Sequence, residues 1–285
     1  MSSVKIGLIQ MSCGTDRQAN LAKALAMSSE AVKKGSQIVC LQELFTSRYF
    51  PQTVDVRNYS LAEPVPGPTL AACSKFARQH GICMIVPVYE EAMPGVYFNT
   101  AVLLGTDGEF AGKMRKIHIP EGPQYLEKYY FTPGDLGFPV FDTPHCCVGI
   151  GICWDEWFPE TARILGLKGA AIVFFPSAIG SEPDRPGYSS QEAWETAIRA
   201  QGIMNGLFVA TVNRVGVEDE MSFYGGSFIA DPLGMVIAKG GSGDEIVTGD
   251  IDLERITEAR NLLQFHRDRR PEVYQEILRI VKSGQ

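Results

Sequence analysis

The stretch GIGICWDEWFPE, Gly149 to Glu160, runs from glycine-spaced apolar residues into a cysteine, a tryptophan, two acids and a proline. A strand that only filled a core has no use for that ending. The residues before it, CCVGI, suit a buried strand, and Pro159 suits the first turn of a helix over PETARILGLKG. The stretch therefore reads as a strand-to-helix elbow that holds Cys153 rigidly at the end of a strand. An elbow of this kind is a feature of chains that alternate α and β elements.

The alternation extends outward in both directions. Towards the N-terminus, VKIGLIQMSC reads as a strand and TDRQANLAKALAMSSEAVKKG as a helix, opened by a Thr15/Gln18 capping box and stopped by Gly35. QIVCLQE is then a second strand, and the β–α–β unit favours parallel pairing. A proline-rich loop, AEPVPGPTL, leads to a helix over roughly Thr69 to His80. GICMIVPVYE and VYFNTAVLLG read as strands, and the Asp107-Gly108 turn leads to another strand ending near Lys116. From Ile119 to Phe138 the chain is rich in Pro, Gly and Tyr and has no period, the mark of a functional connection.

Beyond the elbow, AAIVFFPSA is a strand, SSQEAWETAIRAQGIMNG a helix opened by Ser189 and Glu192, and LFVATVNRVG a strand. GGSFIADPLGMVIAKG and EIVTGDIDLERI read as a closing meander. No linker composition interrupts the chain, so residues 1–285 are expected to form one α/β domain. Residues from about 262 to 285 are expected to form a C-terminal arm with a short amphipathic helix, either a solvated face or a grip on a partner subunit.

Composition narrows the function classes. The chain of 285 residues is 45% apolar and carries a formal net charge of −7, with no Lys/Arg run long enough to track phosphates. Nucleic acid is therefore not an expected partner. No apolar segment reaches the length of a membrane span and the N-terminal apolar run is short, so neither a membrane nor a signal peptide is expected. Seven cysteines without framework spacing, no CxxC pair and four scattered histidines argue for a reducing cytoplasm and against a metal site. Cys146-Cys147 reads as part of a core strand, since adjacent cysteines rarely meet disulfide geometry. GIGICW matches only half of a GxGxxG fingerprint, and there is no P-loop and no GxSxG, so no cofactor is expected.

The chemistry then rests on a few residues. Cys153 is a candidate nucleophile: a helix N-terminus beside it would favour a thiolate, and the Trp154 backbone N–H could meet a developing oxyanion. A buried structural cysteine is the alternative. A cysteine nucleophile needs a base. His118 and Glu43 both stand near strand ends, and Glu43 would share the sheet edge of Cys153 if the strands are parallel. Lys116 also ends a strand, where an ammonium could hold an oxyanion. Glu127 lies among aromatics, where burial would raise its pKa, or else it pairs with Lys128 on the surface.

Glu43, Lys116 and Cys153, in this order and each near a strand end, resemble the Glu-Lys-Cys triad of the nitrilase superfamily of carbon–nitrogen hydrolases. LQELF, RKIHIPEGPQYLEKYYFTPGD and ICWDEWFPE carry the resemblance, which runs from about residue 4 to the C-terminal tail. SAIGSEP, FYGGSFIADPLG and RDRRPEVY are most similar to the branch of the superfamily that acts on N-carbamoylputrescine. The resemblance implies a four-layer αββα sandwich, two mixed sheets face to face with helices outside. It implies a homodimer or larger homo-oligomer, with the helix after Cys153 and the C-terminal arm in the interface.

It also implies a small-molecule amide substrate and a thioester-like intermediate on Cys153. Glu43, Lys116, Cys153 and Glu127 would be catalytic, and Trp154, Glu182, Ala178 and Asp155 would bind the oxyanion and substrate. Glu182 or Asp184 would meet the ammonium of an amine substrate, whereas an N-carbamoyl amino acid or N-carbamoyl-β-alanine would call on Arg48 or Arg185. An ω-amide and a non-catalytic oligomeric scaffold are the remaining alternatives. Two positions depart from the branch: VYFN at Asn99, where HYN is expected, and Glu156, where glutamine is commoner and an added charge could help bind an amine.

Overall fold

Strand alternation builds two sheets with one face each turned towards the other. The computed structural model describes residues 3–280. The first sheet is laid down by β1 (Ser3–Gln10), α1 (Arg17–Lys33), β2 (Ile38–Leu41), α2 (Pro68–His80), β3 (Cys83–Met93), β4 (Val96–Leu104) and β5 (Phe110–Arg115). The second is laid down by β6 (Val140–Asp142), β7 (Cys147–Ile150), α3 (Pro159–Leu167), β8 (Ile172–Pro176), α4 (Gln191–Asn205) and β9 (Phe208–Val212). A hairpin of β10 (Val215–Glu218) and β11 (Met221–Tyr224) follows, then β12 (Phe228–Ala230), β13 (Val236–Lys239), β14 (Glu245–Asp252) and α5 (Glu254–Leu263).

The strand orders are β14-β1-β2-β3-β4-β5 and β13-β12-β9-β8-β7-β6. In each sheet three parallel strands, β1-β2-β3 or β7-β8-β9, carry one antiparallel strand on one side and two on the other. Period-two burial assigns the layers. Ile38 and Cys40 face the second sheet, as Ile172 and Phe174 face the first. Val39 and Leu41 pack outward with Ala24 and Ala31 of α1, and Val173 and Phe175 outward with Trp194 and Ile198 of α4. The molecule is thus an αββα sandwich, as the resemblance implied.

Several local expectations are corrected. Asp16, not Thr15, caps α1: its carboxylate accepts from Gln18 N at 2.8 Å and Ala19 N at 3.1 Å, so no capping box forms. The closing segments are no simple meander, because β14 crosses to the first sheet and pairs with β1 from Ser3↔Asp252 to Gln10↔Glu245. β6 and the β10–β11 hairpin are additional strands. The arm carries 3₁₀ turns at Pro271–Val273 and Gln275–Leu278 rather than an amphipathic helix, and the part of the arm from 281 to 285 lies outside the described residues. Among the described residues no helix is long and apolar enough to cross a membrane.

Candidate active site

One end of the first sheet gathers the polar residues. Gln42, just past β2, pairs with Met11 in both directions at 2.7 Å, which ties the chain after β2 to the chain after β1. Glu43 follows, fully buried. Lys116, just past β5, continues the ladder by donating its backbone N–H to Asn99 O of β4 at 2.8 Å. Because β4 runs opposite to β5, its Asn99 end lies beside Lys116, and β2 and β5 deliver Glu43 and Lys116 to one edge.

The side chains then meet. Lys116 Nζ donates to Glu43 Oε1 at 2.8 Å and to Glu127 Oε2 at 2.5 Å, and all three residues are buried. Asn99 Nδ2 donates to Glu43 Oε1 at 2.6 Å, and Tyr49 OH to Glu127 Oε1 at 2.7 Å. Both oxygens of Glu127 are therefore engaged, while Glu43 Oε2 is buried with no partner. Glu127 does not pair with Lys128.

Cys153 arrives from the second sheet. It opens a 3₁₀ turn, Cys153–Trp157, between β7 and α3, with φ +46°, a left-handed conformation that a non-glycine residue adopts at a cost of about 1–3 kcal/mol. Asp155 clamps this turn to the chain after Lys116. Its carboxylate accepts from Ile152 N at 3.0 Å, His118 N at 2.9 Å and His118 Nδ1 at 2.7 Å. The His118 ring stacks on Phe158, with centroids 3.6 Å apart. His118 is thus occupied with Asp155 and Phe158, and it does not line the cavity on which Cys153 opens. Asp155 does not line that cavity either.

Burial sets the electrostatics. It raises the Cys153 thiol well above its usual range, Glu43 adds to the rise, and Lys116 opposes it. The expected lowering by a helix dipole is outweighed, since α3 begins only at Pro159. Burial pushes Glu127 up to about 7 against the pull of Lys116. For Lys116 burial acts downward, but Glu127 and Glu43 outweigh it and hold the ammonium charged. Glu156, expected as a charge that could help bind an amine, faces the core instead. Ser177 Oγ donates to it at 2.8 Å and Trp194 Nε1 at 2.7 Å, and burial raises its pKa well above the usual carboxylate range.

Cys153 opens on a cavity of about 390 Å³, walled by Tyr125, Trp154, Trp157, Ile179 and Glu182. Glu182 Oε2 is buried without a partner. Asp184 and Arg185 line the same wall, with 3.9 Å between their charged groups. Ala178 lies behind this surface, packed with Tyr49 and Phe223, and does not line it. Arg48 is also elsewhere: it pairs with Asp219 at 3.2 Å on a separate cavity. Among the described residues no group of His, Cys, Asp and Glu is placed to hold a metal ion.

Sequence reasoning passed over Tyr49 and treated Asn99 only as a departure. A polar Asn99 and Thr100 inside the apolar run VYFNTAVLL was the available signal for the second; Tyr49 had none, as its partner Glu127 is far along the chain.

Comparison with known proteins agrees with this architecture. The model of the family described as carbon–nitrogen hydrolase matches residues 5–261. N-carbamoylputrescine amidase of Solanum lycopersicum is 38% identical over 99% of this chain and 97% of its own length. Citrullinase of Francisella tularensis subsp. tularensis is 38% identical over 98% of this chain and 99% of its own. The crystal structure of a carbon–nitrogen hydrolase from Helicobacter pylori G27 superposes with a TM-score of 0.94 at 37% identity, covering 98% of this chain and 99% of that one. The likeness spans both sheets and every segment that delivers a residue to the cavity, and on it the chain belongs to the carbon–nitrogen hydrolase family of the nitrilase superfamily, hydrolases of carbon–nitrogen bonds other than peptide bonds.

Proposed function

We propose that this enzyme hydrolyses the terminal C–N bond of an N-carbamoyl amine, with N-carbamoylputrescine as the substrate. The observation that carries the reading is a pair of buried, unpartnered carboxylate oxygens, Glu43 Oε2 in the cluster whose charge bears on Cys153, and Glu182 Oε2 in the cavity wall. The first suits a proton acceptor and the second a ligand ammonium.

In this reading Glu43 takes the Cys153 thiol proton and the thiolate attacks the carbamoyl carbon. Lys116 and the Trp154 N–H hold the tetrahedral oxyanion. The C–N bond breaks, Glu43 returns the proton to the leaving nitrogen, and ammonia departs from a carbamoyl thioester. Glu43 then takes a proton from water, whose oxygen attacks the same carbon. The C–S bond breaks, the thiolate recovers its proton, and the released carbamic acid separates into amine and carbon dioxide. Glu127 keeps Lys116 in place through both halves. The high thiol pKa supports proton transfer to Glu43 concerted with attack, not a standing thiolate.

A second reading is favoured by Arg185, which lines the wall beside Glu182 and Asp184. An ω-ureido amino acid carries both an ammonium and a carboxylate and would use acid and guanidinium together. The relative named citrullinase supports it equally by identity. The test is ammonia release from N-carbamoylputrescine, citrulline and N-carbamoyl-β-alanine, with Cys153→Ala as blank. Preference for the first is expected, and Glu182→Gln is expected to raise its KM far more than that of a neutral amide. Preference for citrulline sinks the first reading and keeps the chemistry.

Seven cysteines, all free, support a reducing cytoplasm as the enzyme's location. The exposed apolar residues of the arm support a homo-oligomer: Leu262, Val273, Ile277, Leu278 and Ile280 are all more than half exposed.

A further inference from the structure

A buried guanidinium sits behind the base. Arg214 lies between β9 of the second sheet and the β10–β11 hairpin, fully buried. Its Nη1 donates to Glu218 Oε1 at 2.7 Å and to Ser47 O at 3.0 Å. Its Nη2 donates to Leu44 O at 2.8 Å and to Glu43 O at 3.2 Å. Glu218 completes the device: its other oxygen accepts from Tyr49 N at 2.6 Å.

The turn that Arg214 grips needs holding. It leaves β2, passes Leu44 at φ +51°, and buries three carbonyls that the sheet cannot satisfy. One planar fork with several donors can serve all three and a carboxylate; an ammonium cannot. Glu43 and Tyr49 stand at the two ends of this turn, and Tyr49 OH holds Glu127. The neighbouring Asn213 exchanges two hydrogen bonds of 2.9 Å with the backbone of Ile179 in the cavity wall. One dipeptide of the second sheet thus fixes both the wall and the turn from the first sheet that bears Glu43.

We propose that Arg214, braced by Glu218, is a positioning residue for the reaction: it sets the reach of Glu43 Oε2 towards Cys153 by holding the backbone of Glu43 and Leu44 to the sheet that carries the cysteine. The proposal rests on the reading of Glu43 as base to Cys153. A displacement of about 1 Å at a reacting group can cost about 10²-fold in rate. Arg214→Lys is therefore expected to lower kcat by about 10²-fold with KM within about twofold, because the bonds to the cavity wall are made by Asn213 and not by Arg214.

The decisive measurement needs no substrate. Cys153 alkylation by iodoacetamide is followed by mass spectrometry in the wild type and in Arg214→Lys. In the wild type Cys153 is expected to react faster than the other buried cysteines. In the variant every Cys153 is expected to react, at a lower rate, with the deficit shrinking as pH rises from about 7 to about 9 and hydroxide takes the thiol proton in place of Glu43. A slow wild-type Cys153 overturns the reading of Glu43, not the clamp alone. A fast wild-type Cys153 with an unchanged variant overturns the clamp. So does a variant in which a fraction of molecules reacts at the wild-type rate and the rest not at all, which is partial unfolding. If Arg214→Lys does not fold, Glu218→Gln keeps the guanidinium and loosens its brace; a loss of about tenfold in the Cys153 rate is expected, and no loss overturns the proposal.

Discussion

Tyr49 acts on Glu127 through a single hydrogen bond, and the consequence is a shift in pH dependence. Its OH donates to Glu127 Oε1 and lowers the pKa of a carboxyl that burial pushes up to about 7. Tyr49→Phe removes that donor, so ionised Glu127 needs a higher pH. The acidic limb of kcat/KM is expected to move upward, with about a tenfold loss at pH near 7; an unmoved limb would show that Glu127 does not titrate in the working range. Glu156 gives a second residue-scale test. Its folded pKa lies well above the unfolded 4.5, so the folded chain keeps a proton that the unfolded chain releases. Stability then falls as pH rises above that value, until Glu156 itself ionises. Glu156→Gln removes the slope and should gain on the wild type by up to about 1.4 kcal/mol per pH unit, read as urea midpoints across pH. The Ser177 hydroxyl can accept as well as donate, so either a protonated acid or a glutamine amide can sit between it and the Trp194 N–H, which explains how this chain carries glutamate there.

At the scale of elements, the elbow and the chain after β5 are held together by Asp155. An asparagine in its place would offer one acceptor to the backbone and ring donors that the carboxylate serves, and would turn an NH₂ towards the others. Asp155→Asn is expected to cost about 2–3 kcal/mol and to lower kcat, checked by thermal unfolding and steady-state rates. This contact also marks what the sequence could convey. The first four helices and the parallel strands were legible because each repeats a short period, and their bounds came out within a few residues; α5 was read as part of the closing meander. Cys153, Lys116 and Glu43 were legible because each stands at the end of such a period. The clamp made by Asp155 was not legible because its partners Ile117 and His118 lie far away in sequence. The cap of α1 was misassigned because Thr15 and Asp16 are equally good acceptors and only geometry separates them. β6 and the β10–β11 hairpin escaped because they span only three or four residues each, and β14 because a strand's period says nothing about which sheet it joins.

For the whole molecule, the arm and the sandwich raise different questions. The apolar residues of the arm face solvent in the single chain, Ile280 and Leu278 most of all. Removing the chain from Arg270 onward is expected to lower the mass measured by sedimentation equilibrium to that of a monomer, with the fold kept; an unchanged mass would place the interface elsewhere. The sandwich has a consequence of another kind. Glu43 and Lys116 leave one sheet, Cys153 leaves the other, and the layer between them is side chains alone. Turnover therefore reports the thickness of that layer. Mild urea that swells it, while every strand stays hydrogen-bonded, should silence the enzyme before far-ultraviolet circular dichroism changes. Coincident loss of both signals would mean that the layer opens only when the strands do. A hydrolase built in this way acts as a gauge of its own compactness.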